Sequence, residues 1–176
     1  MFDPTVFENL KVAFENQLYD LDNLAARIRI TNRIDRLEMS VLSREFALQF
    51  TLAEQTEVTA EIRLEATLND LAAEILEMSG ETPGCALLLR FYLQIGNDVC
   101  AQCRQIEDIV RRIWQPDLPP VQTLSFVYDQ DPAVYTDTIE LKFNRKINED
   151  QMGDITNLID HVLQTLAELN SFTLNR

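Results

Sequence analysis

From Leu24 to Ala66 apolar and polar residues alternate through four consecutive segments, and this restricts the chain to a fold built on a sheet. Leu24, Ala26, Ile28 and Ile30 alternate with Arg27, Arg29 and Thr31; Leu37, Met39 and Val41 with Arg36, Glu38 and Ser40. Phe46, Leu48, Phe50 and Leu52 follow against Ala47, Gln49 and Thr51, then Val58, Ala60, Ile62 and Leu64 against Thr59, Glu61, Arg63 and Glu65. A strand turns successive side chains to opposite faces, so this rhythm predicts one buried and one wet face. The breaks at Asn32 to Asp35, Ser43 to Glu45 and Glu54 to Glu57 are too short for parallel crossovers, which predicts an antiparallel meander.

The wet face would carry Arg27, Arg29, Arg36 and Arg63 opposite Glu38, Glu61 and Glu65. Cross-strand pairs of opposite charge stabilise by up to about 1 kcal/mol each, so a solvated ladder is the first reading. The alternative is an anion-binding site, because Arg27, Arg29, Arg33, Arg36 and Arg44 crowd into one short stretch; Arg27, Arg29 and Arg36 are its ligand-binding candidates.

Composition narrows the partners. Lys and Arg number 15 against 29 Asp and Glu, a net charge of −14. No segment offers the basic footprint that phosphate neutralisation requires, so neither nucleic acid nor an anionic membrane is expected as a partner. The 176 residues suit one domain with a real core. Three cysteines argue against a disulfide framework. With no leader pattern and no apolar run of membrane-spanning length, the expected location is the cytoplasm.

Elsewhere the period changes. Asp3-Pro4 reads as a helix opening. Residues 4–9 then read as a short helical turn and 10–21 as a hairpin extending the meander, with a helix as the alternative, since Phe7, Leu10, Phe14, Leu18 and Leu21 recur at three and four. Thr67 and Asp70 have capping-box spacing ahead of Leu68, Leu71, Ile75 and Met78, which predicts a helix over 67–79. Leu88, Tyr92, Ile95, Val99, Cys103, Ile106, Val110 and Ile113 predict a helix over 84–114, bent at Gly96 and packed with its predecessor as a helical hairpin. Ala86 to Ile95 alone also fits a buried strand. Pro116, Pro119 and Pro120 break the pattern. Leu124, Phe126 and Tyr128, then Ile139, Leu141 and Phe143, predict two further strands. Asn148 and Gln151 open a last helix whose Met152, Ile155, Ile159, Val162, Leu166 and Leu169 keep a coiled-coil rhythm.

Few residues suggest chemistry. Cys100 and Cys103 form a CxxC. In mid-helix it reads as core; if Asp98 instead caps a new helix, Cys100 falls in the first turn, where a thiol becomes a redox candidate. Cys85 and His161 complete the stock of soft metal ligands, so Cys100 and Cys103 are also the metal candidates. His161, the single histidine, has no nucleophile near it in sequence. The glycines form no phosphate cradle. No catalytic residue is nominated and no cofactor is expected.

The expected fold is α+β: an antiparallel sheet, an N-terminal meander plus a later hairpin, packed against a helical hairpin and a long C-terminal helix. The expected role is a protein-interaction or self-associating module, a homodimer being the usual geometry, with Ile159, Val162, Leu166 and Leu169 as its interaction surface. The alternative is a small-molecule or metal-responsive protein with a pocket lined by Phe46, Phe50, Phe91 and Tyr92.

Overall fold

The computed structural model describes residues 5–175, so the Asp3-Pro4 opening lies outside the described residues. The fold is α+β: a six-stranded antiparallel sheet in the order β1-β2-β3-β4-β6-β5, with four α-helices.

Helix α1 is Val6–Asn23, capped by Thr5, whose hydroxyl accepts the Glu8 N–H. The three-and-four recurrence prevails over the hairpin reading of 10–21: Phe7, Leu10, Phe14 and Leu18 are buried along one stripe, and Val12 stands 47% exposed on the far side.

The meander holds three strands: β1 (Ile28–Glu38), β2 (Ser43–Leu52) and β3 (Thr59–Ala66). The expected break at Asn32 to Asp35 is not a turn. Ile30 faces Phe50 and Asn32 faces Gln49, so Thr31 is an extra residue, a β-bulge. The bulge reverses which face each later residue points to, and one strand therefore reads in sequence as two. The true turn is 39–42, where Met39 and Val41 are exposed.

Helix α2 (Leu68–Ile75) has the capping box that Thr67 and Asp70 predict. It stops short of residue 79, and its apolar stripe turns outward, with Leu68, Ile75 and nearby Met78 exposed. No helical hairpin forms, because residues 84–114 are strand β4 (Ala86–Ile95) followed by helix α3 (Val99–Trp114). Leu87, Leu89, Phe91, Leu93 and Ile95 alternate into the core while Leu88 is buried on the other face, so this central strand looks apolar all round. Asp98 caps α3 through the Ala101 N–H.

The proline segment leads to β5 (Val121–Phe126), which pairs only with β6 (Tyr135–Lys142), and β6 in turn pairs with β4. Asn148 and Gln151 do form a capping box, on a 3₁₀ turn, Glu149–Asp154, that runs into helix α4, Ile155–Leu174.

The core lies on one side of the sheet. Phe46, Leu48 and Phe50 of β2, Ile62 and Leu64 of β3, Leu89 and Phe91 of β4 and Ile139 and Leu141 of β6 meet the buried stripes of α1, α3 and α4. Helix α3 is tied to α4 by Trp114 Nε1, which donates to Thr165 Oγ1 at 2.9 Å, and by the Arg112–Glu168 pair.

Candidate functional site

The interaction stripe expected on the last helix is core. Val162, Leu166 and Leu169 are 0% exposed and Ile159 3%, because the widened stripe is used against the sheet of the same chain. The aromatic pocket is likewise filled: Phe46, Phe50 and Phe91 are fully buried. Tyr92 points to the opposite face, where its hydroxyl donates to Glu61. A cavity of about 650 Å³ lies elsewhere, between α1 and the segment joining β6 to α4, with Phe14, Leu87, Phe143, Arg145 and Ile155 among its walls.

The meander arginines do not converge. Arg27 precedes β1, while Arg29 and Arg36 sit on the helix-free face about 20 Å apart along the strand, given some 3.3 Å per residue. All three are exposed, and Arg36 pairs with Glu45 at 2.6 Å. Past the bulge, Arg33 and Asp35 turn to the helix side. There Arg33 meets Glu15 at 2.8 Å, Asp35 meets Lys11 at 2.9 Å, and Arg44 of β2 meets Glu8 at 2.6 Å.

On the helix-free face part of the expected ladder is present: Arg63 pairs with Glu61 and Glu65, while Arg36 pairs with Glu45 and Glu38 accepts from Ser40. Its centre, Glu61, is 1% exposed. It accepts from Arg63 Nε at 2.9 Å, from Gln49 Nε2 at 2.5 Å and from the Tyr92 hydroxyl at 3.2 Å. Burial pushes its carboxyl up, but the Arg63 and Gln49 hydrogen bonds and the charges of Arg63 and Arg90 outweigh that and hold it below the usual range. With every lone pair engaged and no opening to solvent, Glu61 is built to hold strands in register rather than to receive a substrate.

Cys100 is exposed in the first turn of α3, Cys103 is half-buried one turn on, and Cys85 is buried. Burial, then the charges of Asp70 and Glu74, push the Cys85 thiol up to about 12, which makes it inert. Among the described residues no group of three or more His, Cys, Asp or Glu side chains is arranged to hold a metal ion. His161 is exposed, its Nδ1 2.7 Å from the Asn157 carbonyl oxygen.

The surface that stands out is strand β5. The strand order leaves its outer edge unpaired. Val121 is 53% exposed on the helix-free face, Leu124 and Phe126 are exposed on the other, and Val127 and Tyr128 continue the strip at 69% and 90%. A groove of about 400 Å³, lined by Gln94, Ser125, Phe126, Val127 and Thr136, adjoins the end of the strand. An unguarded apolar edge is a template for another strand. The sequence carries a signal for it: residues 121–128 hold no charge in a chain that is 25% charged.

Comparison with protein-family models, with curated proteins and with solved structures finds no match. Function is therefore argued from the surface alone. Among the described residues no helix is long and apolar enough to cross a membrane.

Proposed function

We propose that the chain is a self-associating module that closes its free edge by pairing β5 with β5 of a second copy. The observation that carries this is the bare, uncharged, apolar strip Val121 to Tyr128 at the end of the sheet. Strand addition at an exposed edge takes its affinity from main-chain hydrogen bonds and its specificity from alternate side chains. Two copies of a molecule with a net charge of −14 repel each other over most of their surfaces. At β5 they meet without that repulsion.

A two-fold axis through Leu124 makes the pairing self-complementary. On the helix side Leu124 would face its own copy and Gln122 would face Phe126; on the other side Val121 would face Val127 and Thr123 would face Ser125. The sheets would run on as one, with the helices of both copies on the same side.

The test is native mass spectrometry and light scattering across a dilution series, on the wild type and on Thr123→Lys/Ser125→Lys. Both positions are exposed, so the pair leaves the monomer folded while bringing four ammonium groups together at the axis. Like charges so placed cost several kcal/mol, and a wild-type dimer whose lysine variant is at least about 100-fold weaker is expected. A wild type that stays monomeric, or a dimer indifferent to the lysines, overturns the reading.

A further inference from the structure

Helix α2 wears its amphipathic pattern inside out. A surface helix ordinarily turns its apolar stripe to the core. Here Asp70 and Ala73 are the buried residues, while Leu68, Ile75, Leu76 and Met78 face solvent. Leu76 is 69% exposed and Ile75 66%. Polar ties impose this orientation. Asp70 closes the capping box with Thr67 and pairs with Lys146, and one turn on the Glu74 carboxylate accepts the Val6 N–H of α1 at 2.8 Å. Rolling the helix over to hide Ile75 would break these ties together, so the apolar face is held outward rather than left there by loose packing.

The turn between β1 and β2 stands at the same end of the sheet. Register places Arg44 of β2 opposite both Leu37 of β1 and Ala66 of β3, so the turn 39–42 and the start of α2 leave the sheet past one row of residues. The strands they leave, β1 and β3, are two spacings apart, about 10 Å. Met39 and Val41 are exposed on that turn. Apolar side chains brought to one end of a water-facing surface mark a contact site, whereas scattered ones do not. Methionines there adapt their shape to what they meet.

Charge decides what fits. Between Arg63 and Arg90 the chain carries five acids and no base. Glu77 and Glu81 are exposed beside Leu76 and Met78, and among the described residues their carboxylates engage no cation. Lys146, Arg36 and Arg44 are already paired, with Asp70, Glu45 and Glu8. A second copy would bring these acids against their own kind, and an anionic lipid surface would repel them. We propose that the outward face of α2 and the β1–β2 turn dock a basic amphipathic helix of a partner protein, its apolar side on Ile75, Leu76 and Met39 and its Lys or Arg side chains on Glu77 and Glu81. Four turns of such a helix, about 22 Å, equal the length of α2, about 12 Å, plus the separation of the two strands. This surface is separate from the β5 edge and does not depend on pairing there.

The probe is a synthetic helix of about 14 residues with a leucine stripe and lysine elsewhere, and the control is the same peptide with glutamate for lysine. Fluorescence anisotropy is expected to show binding of the lysine peptide only. Ile75→Gln/Leu76→Gln keeps the charge of the chain and alters two exposed side chains, so it folds; it is expected to bind the lysine peptide at least about tenfold more weakly. Glu77→Lys/Glu81→Lys is expected to weaken it at least about threefold at low salt, with the difference shrinking at about 1 M. An affinity indifferent to Ile75→Gln/Leu76→Gln is attraction to the acidic chain as a whole and overturns the site. Equal binding of the two peptides, or no binding of either, overturns the basic partner. Self-association of the wild type that Ile75→Gln/Leu76→Gln abolishes gives the face to a second copy, and flotation with phosphatidylcholine vesicles that it abolishes gives the face to lipid; either result overturns the proposal.

Discussion

The two edges of this sheet are opposites. At β1 the backbone N–H of Ile30 is bonded by Asp22 of α1, and Arg33 and Asp35 on the strand and Arg44 beside it are ion-paired to Glu15, Lys11 and Glu8 of the same helix. A charged strand with a helix beside it is a poor template for a passing chain. At β5, among the described residues, there is no helix over the edge, no charge on the strand, and one buried carboxylate, Asp137, with no hydrogen-bond partner. The difference teaches that the protein can guard an edge and does so at one end only, which is why the other end is read as a site and not as a defect.

The comparison can be broken first at the helix. Phe14→Ala removes a fully buried ring by which α1 holds its place. It should cost about 3–5 kcal/mol in urea unfolding. If exposure of β1 is what α1 prevents, the variant should also gain association that Thr123→Lys/Ser125→Lys does not abolish.

The next effect is at the other edge and has the opposite sign. Asp137 titrates at about 6 in the folded chain, against an ordinary 3.8. The folded state therefore binds a proton that the unfolded state has released between those values, and this group's contribution to stability falls as pH rises from about 4 to about 6. Asp137→Asn should raise stability by about 3 kcal/mol near pH 7.5, with the gain vanishing below about pH 4. Urea titrations of both proteins across that range check it; a constant difference would mean Asp137 is not the group involved.

Smaller still is Asp35→Asn, which strips Lys11, Arg33 and Arg44 of a shared partner whose side chain is 20% exposed. About 1 kcal/mol should be lost at low salt and little at 1 M, where exposed pairs are screened. Arg36→Gln, at a side chain 65% exposed, should change stability by under about 0.5 kcal/mol. A larger loss would make the helix-free face a stronger brace than its exposure implies.

What the sequence disclosed follows from range. The two capping boxes and the stripe of α4 depend on residues within a few positions and were readable, whereas the α1 stripe competed with a hairpin reading because Leu10, Val12 and Phe14 also alternate. Strand β4 was legible only as the alternative at Ala86 to Ile95, because Leu88 and Tyr92 on its other face also continue the helical spacing that runs into α3. The edge status of β5 depends on β4 choosing β6 over β5, a long-range preference that no local period encodes. Two local signals were nevertheless present: the uncharged run from Val121 to Tyr128, and Asp137 in the same parity as Ile139 and Leu141, where an acid does not belong. The candidate surface on α4 failed for a related reason, since a stripe of Ile159, Val162, Leu166 and Leu169 has the same spacing whether its partner is another chain or its own sheet.

The bulge at Thr31 acts as a phase inverter in the strand it interrupts. Were Thr31 to take a regular place in the ladder opposite Gln49, Ile34 would fall opposite Phe46 and point toward α1, and Arg33 and Asp35 would point away from the helix that now grips them. The guard on the first edge thus hangs on a single register step. Removing Thr31 would leave the later pairs as they are, whereas slipping it into register would turn this border of the sheet into a second open one, and a chain that pairs at β5 as proposed could then grow as a fibre.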